Sequence, residues 1–168
     1  MITTVKFAKT KPNAKIPTKR DEDAGFDIYA CFEENYMIIP PHETVMIPTG
    51  IASAFGSDYC VILKERGSTG TKGIAQRSGV IDSGYRGEWL VPITNTTTSH
   101  IVISKTNSLK EIFGKAAPIG CVIYPYEKAI CQALVIPVPY VEVEEYTYEE
   151  LKTIPSARGE GHLGSSNK

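Results

Sequence analysis

Short runs of β-forming residues, each stopped after a few positions by glycine, proline or a polar turn residue, recur along the whole chain. They are Thr4 to Ala8, Phe26 to Phe32, Tyr36 to Ile39, Val45 to Pro48, Tyr59 to Leu63, Glu88 to Thr94, His100 to Ser104, Gly120 to Tyr124, Ala133 to Val138 and Tyr140 to Tyr146. Such a rhythm suits an all-β barrel or jelly roll. Val141 and Val143 alternate with Glu142 and Glu144, which predicts a strand with one buried and one wet face. Helix has little room. The best candidate is Ser108 to Lys115, where Leu109, Ile112 and Phe113 share a face behind Asn107 and Ser108 as caps.

At 168 residues the chain is large enough to bury one core without staples. Eighteen basic and 19 acidic residues nearly cancel, so no long-range field gathers nucleic acid or an anionic membrane. No apolar run approaches the roughly 20 residues that span a bilayer. The opening Met-Ile-Thr-Thr-Val-Lys lacks the apolar segment of a secretory signal, so a cytoplasmic protein is expected. Cys31, Cys60, Cys121 and Cys131 are scattered through strand-like stretches with no Cys-x-x-Cys pair, which argues against zinc.

Residues able to do chemistry fall in a few places. Gly79-Val-Ile-Asp-Ser-Gly-Tyr-Arg-Gly-Glu-Trp89 reads as a tight hairpin turning at Ser83-Gly84. Asp82 then lies at its lip, where a carboxylate can orient a water and take its proton. An Asp in a turn equally serves to bond its own backbone. Tyr85 would form a wall beside it. In Phe26-Asp27-Ile28, Asp27 projects opposite to its apolar neighbours, as either a solvated or a functional carboxylate. Lys64 to Gly73 packs glycines, hydroxyls and cations into one connection; it is a flexible loop or an anion cradle in which Arg66 adds bidentate contacts. Gln132 heads an apolar strand, where an amide needs partners. Ser156 to Lys168 has only Ala157 and Leu163 as apolar residues; its glycines, with Arg158, Ser165 and Ser166, suit either a disordered tail or a mobile strap laid over an anion.

Five of these segments, in order, resemble the signature motifs of the trimeric deoxyuridine triphosphatases (dUTPases). They are Asp23-Ala-Gly-Phe-Asp27-Ile-Tyr-Ala30, Arg66-Gly67-Ser68-Thr69-Gly70, the Gly79 to Trp89 stretch, Ile130-Cys131-Gln132, and Arg158-Gly159-Glu160-Gly161-His162-Leu163-Gly164-Ser165-Ser166. The resemblance implies a homotrimeric jelly roll with one β domain over 1–155 and a strap over 156–168. It implies hydrolysis of dUTP to dUMP and pyrophosphate, with Asp82 activating the water. Magnesium would be carried by substrate phosphates and water, with no direct protein ligand and with Asp27 ordering the water shell. Gly79, Val80 and Ile81 would pair with uracil, Tyr85 would pack on the sugar, and Arg66, Gly67, Ser68, Gln132 and Arg158 would hold the phosphates. Leu163, Gly164, Ser165 and Ser166 would close over them.

The chain departs from the family in places: it has Arg66-Gly67-Ser68 for Arg-Ser-Gly, Ala129 where an Arg often stands, and His162-Leu163 for Gly-Phe. A related dCTP deaminase is an alternative, opposed by the intact Gly79-Val-Ile-Asp82-x-x-Tyr85 pattern. Another is a regulatory protein on the same scaffold, using the excursion around 107–118 as a partner surface.

Overall fold

Alternating isoleucine, valine and small residues make strands here because one face can be buried while the other stays wet. In β5 (Ile51–Ala54) Ile51 and Ser53 point inward; in β9 (Leu90–Asn95) Val91, Ile93 and Asn95 do. The computed structural model describes residues 4–114 and 120–161. The chain divides into two compact units, Met1–Val138 and Pro139–Lys168.

In the first unit β1 (Lys6–Lys9) pairs with β5, and β4 (Thr44–Pro48), β9 and β7 (Ile74–Gln76) form a three-stranded sheet. A second three-stranded sheet runs β11 (Val122–Pro125), β10 (Ile101–Ser104), β3 (Tyr36–Ile39). The sheet that matters for function runs β2 (Phe26–Ile28), β12 (Cys131–Pro137), β6 (Tyr59–Lys64), β8 (Val80–Ile81). All pairs are antiparallel except β10 with β11. The architecture is the expected all-β jelly roll. Its core is built on Ile28, Ile39, Ile47, Leu63, Ile93 and Trp89, the last fully buried with its ring edge-on to Phe7 at 5.5 Å. Among the buried polar residues, Asn95 is satisfied: its amide donates to Ile39 and Ser99 carbonyls while its oxygen accepts from Thr97.

Among the described residues three short helices stand where one was expected: α1 (Gly67–Gly70), α2 (Leu109–Phe113) and α3 (Tyr148–Thr153). Ser108 caps α2 by accepting from Glu111 N, and Ile112 is buried. The rest of the predicted excursion, 115–118, lies outside the described residues. α3 carries a signal that periodicity overlooks, a capping box in which Thr147 and Glu150 bond each other's backbone N–H.

Two expectations need correction. Gly79 to Trp89 is not a two-stranded hairpin: β8 pairs with β6, while β9 pairs with β4 and β7, so the stretch is a corner between two sheets. Tyr140 to Tyr146 forms no strand. Tyr140 and Val143 are 89% and 93% exposed, since an alternating pattern stays unpaired without a neighbouring edge to bond. No helix among the described residues is long and apolar enough to cross a membrane. All four cysteines are free thiols, and burial pushes that of Cys131 far up.

Candidate functional site

At one end of the β2–β12–β6 sheet, register brings three predicted residues together. Gln132 sits opposite Asp27 on one side and Lys64 on the other, and Arg66 follows just beyond β6. The Arg66 guanidinium clasps Asp27, Nε to Oδ1 at 3.0 Å and Nη2 to Oδ2 at 3.5 Å. Both groups are about one-third exposed, so the pair is organised yet reachable by an anion. Gln132 Nε2 donates to the Glu65 carbonyl at 2.8 Å, which ties β12 to the start of the Arg66 turn. Gly25 lets the chain pass close by, because a Cβ there would meet Gln132 Oε1 at 2.8 Å and push that side chain aside.

The predicted connection after β6 is a helical turn rather than a loop. Fully buried Thr69 fixes it: its hydroxyl accepts from Arg66 N and donates to Arg66 O, both at 3.0 Å. Gly67 and Ser68 are exposed on α1, with Ser68 Oγ 3.5 Å from Arg66 Nη1. The Tyr124 hydroxyl donates to Ala129 O at 2.6 Å, so Ala129 is buried backbone support. Burial raises the Tyr124 phenol above its usual range, with Arg66 pulling the other way.

Asp27, Arg66, Gln132 and Gly25 line a cleft of about 710 Å³ that also takes in Lys19, Arg20, Glu22 and Asp23. Neither Arg20 nor Thr69 was picked out from the sequence. Lys19-Arg20 before an acidic run was the only available signal for the first, and a Thr inside a Gly-Ser connection for the second.

The Asp82 corner lies elsewhere. Gly79 takes a φ of +104°, and its carbonyl accepts from Leu63 N at 2.7 Å, a conformation that favours glycine. β8 is an edge strand, so the side of Val80 and Ile81 away from β6 is not paired within the described residues. Val80 is 64% exposed, while the Ile81 side chain is buried. Asp82 is exposed, and its carbonyl accepts from Tyr85 N to close the turn. The Tyr85 ring lies against Gly87, where any Cβ would collide with it, and its hydroxyl donates to Glu88 O at 2.9 Å.

Since Ile81 faces Val61, Asp82 falls level with Cys60. Arg66 comes roughly six positions later, about 20 Å along the strand. None of Gly79, Val80, Ile81, Asp82 or Tyr85 lines the Arg66 cleft. Arg158 belongs to the second unit, where its Nε donates to Gly161 O and its N–H to Ser156 Oγ. Leu163, Gly164, Ser165 and Ser166 lie outside the described residues.

The chain thus carries a guanidinium-bearing cleft open to an anion at one place and the unpaired flank of β8 at another. Comparison with known proteins narrows the class. The dUTPase family model matches residues 12–109. A deoxyuridine 5'-triphosphate nucleotidohydrolase of Leptospira interrogans is 32% identical over 99 residues, covering 56% of this chain and 68% of the relative. One from Neisseria meningitidis serogroup B is 30% identical over 150 residues, covering 85% and 81%. In structure, a mutant of the Staphylococcus bacteriophage 80alpha dUTPase with dUpNHpp superposes with a TM-score of 0.74 at 22% identity, covering 97% of this chain and 98% of that one. The chain belongs to the dUTPase family.

Proposed function

We propose that the chain hydrolyses dUTP to dUMP and pyrophosphate at sites shared between copies in a homotrimer. The observation that carries this is the separation of two half-sites. By strand rise, Asp82, level with Cys60, and Arg66 stand about 20 Å apart along one chain, which favours halves that come from different copies. The exposed flank of Val80 and Ile81 offers backbone N–H and C=O groups to the edge of uracil. Tyr85, held by Glu88 and Gly87, presents its ring to the sugar and crowds a 2′-hydroxyl. Arg66, with Gly67 and Ser68 beside it, holds phosphate oxygens, and Gln132 fixes the turn that carries Arg66. Asp82, exposed at the corner, orients a water toward the α-phosphorus and takes its proton as the P–O bond forms.

The donor set fits magnesium. Arg66 engages both Asp27 oxygens, which suits a carboxylate that reaches a hydrated ion through water rather than directly. Bound there with the substrate, magnesium supplies charge neutralisation on the phosphates. The decisive assay incubates the chain and magnesium separately with dUTP, dCTP, dTTP and UTP, and measures pyrophosphate and deaminated product. Pyrophosphate from dUTP alone is the expected result. A deaminated product, or no turnover of dUTP, would reject the assignment.

A further inference from the structure

Beside the Arg66–Asp27 pair, the same cleft holds a second guanidinium clasped by a carboxylate. Arg20 Nε donates to Asp23 Oδ2 and Nη2 to Oδ1, both at 2.9 Å, and Arg20 N–H adds a 3.2 Å bond to Oδ2. The loop that carries them is closed at its base, where Asp27 N donates to Thr18 O at 2.9 Å, and at its tip, where Asp23 N donates to Arg20 O at 3.1 Å. It therefore stands directly on the strand that supplies Asp27, with Thr18 bridged to Asp27 itself.

Geometry separates Arg20 from its neighbours. The Lys19 ammonium folds back onto the Arg20 and Asp21 carbonyls. Arg66 spends one edge on Asp27 and reaches Ser68 with Nη1. Arg20 uses only its Nε and Nη2 on Asp23, so among the described residues its Nη1 side makes no hydrogen bond. A guanidinium has five N–H donors in a rigid fork, and fixing one edge aims the other. Arg20 holds the Asp23 carboxyl below its usual range. At 88% side-chain exposure the arginine contributes little to stability, which leaves its position in the cleft to be explained by what it faces.

We infer that Arg20, aimed by Asp23, is a substrate-binding residue that grips the terminal phosphates of the substrate and hence the pyrophosphate product. This rests on the proposed dUTPase reading, and it adds a contact outside every motif that carries the family resemblance. The contact lies on the phosphate chain away from the reacting atom. It should therefore act on binding more than on the chemical step.

The test compares wild type with Arg20→Met and Arg20→Lys, using steady-state dUTP kinetics and calorimetric titration of dUMP and of magnesium pyrophosphate. For Arg20→Met we expect KM for dUTP and Kd for pyrophosphate to rise about tenfold, from the loss of a charge-assisted contact, with a smaller change in kcat and no change for dUMP. Arg20→Lys should recover part of the loss. Unchanged pyrophosphate affinity in the methionine variant would overturn the inference, as would an equal weakening of dUMP. Pyrophosphate binding also judges Arg20 when turnover is lost: wild type that fails to hydrolyse dUTP counts against the functional reading, whereas wild type that hydrolyses dUTP beside an unaltered Arg20→Met counts against Arg20 alone.

Discussion

Asp82 and Tyr85 lie three positions apart on one turn, yet they are held in opposite ways, and the difference predicts how each responds to substitution. The carboxylate projects into solvent from a backbone fixed by Tyr85 N–H on Asp82 O, so Asp82→Asn changes chemistry without disturbing shape. Its kcat should fall by about 10² to 10⁴, the usual contribution of a general base, while affinity for a non-hydrolysable dUTP analogue stays within a few fold. Near wild-type turnover in that variant would remove Asp82 from the role of base. Tyr85 is fixed at its hydroxyl and along its ring. Tyr85→Phe keeps the ring on Gly87 and should leave the preference for dUTP over UTP nearly unchanged, whereas Tyr85→Ala should relax it. The ratio of kcat/KM for the two nucleotides reads this directly, and an unaltered ratio in the alanine variant would place sugar selection elsewhere.

Among the elements, α2 is where stability and function separate most clearly. It lies on the crossover between β10 and β11, the one parallel pair, and parallel neighbours cannot be joined by a tight turn. Ile112 is buried and Phe113 approaches Tyr36 with ring centroids 6.4 Å apart, so α2 is anchored to the fold. Ile112→Ala should cost about 2 to 5 kcal/mol in unfolding free energy and leave KM for dUTP unaltered. A rise in KM without loss of stability would tie α2 to the cleft.

The same elements mark how far the sequence could be read. Tyr59–Lys64 and Ile101–Ser104 were legible because β-branched and aromatic residues cluster in them, the second being buried along its whole length. Ile51–Ala54 was not, since Ala-Ser-Ala offers no contrast, and neither was Ile74–Gln76, only three residues long. The Asp82 corner was misread as a hairpin because local turn signals do not say which strand becomes the partner. Arg66, Asp27 and Gln132 were found through motifs, and sheet register shows why they meet. Arg20 and Thr69 carry no pattern of their own, and their roles appear only once Thr18 is bridged to Asp27 and α1 is wound.

For the whole molecule, the distance between half-sites makes a prediction that no single chain could satisfy. Arg66→Ala removes the phosphate half and Asp82→Asn the attacking half, so each variant alone should be nearly inactive. If both halves belonged to one chain, mixing the variants would restore nothing. If copies in a closed ring share each site, a ring containing both variants includes sites that pair the intact Asp82 of one copy with the intact Arg66 of another. Unfolding and reassembling an equal mixture should then recover about a quarter of wild-type activity, since each shared site draws its two halves independently. The controls are each variant carried through the same reassembly, and the mixture combined without unfolding, which should stay inactive if subunits exchange slowly. Activity that follows dilution in parallel with loss of the oligomer, measured by sedimentation, would confirm that the shared site rather than a folding defect is being repaired. A reassembled mixture no more active than its parents would refute the two-copy site, and Asp82 would then have to meet the Arg66 cleft by a movement within one chain.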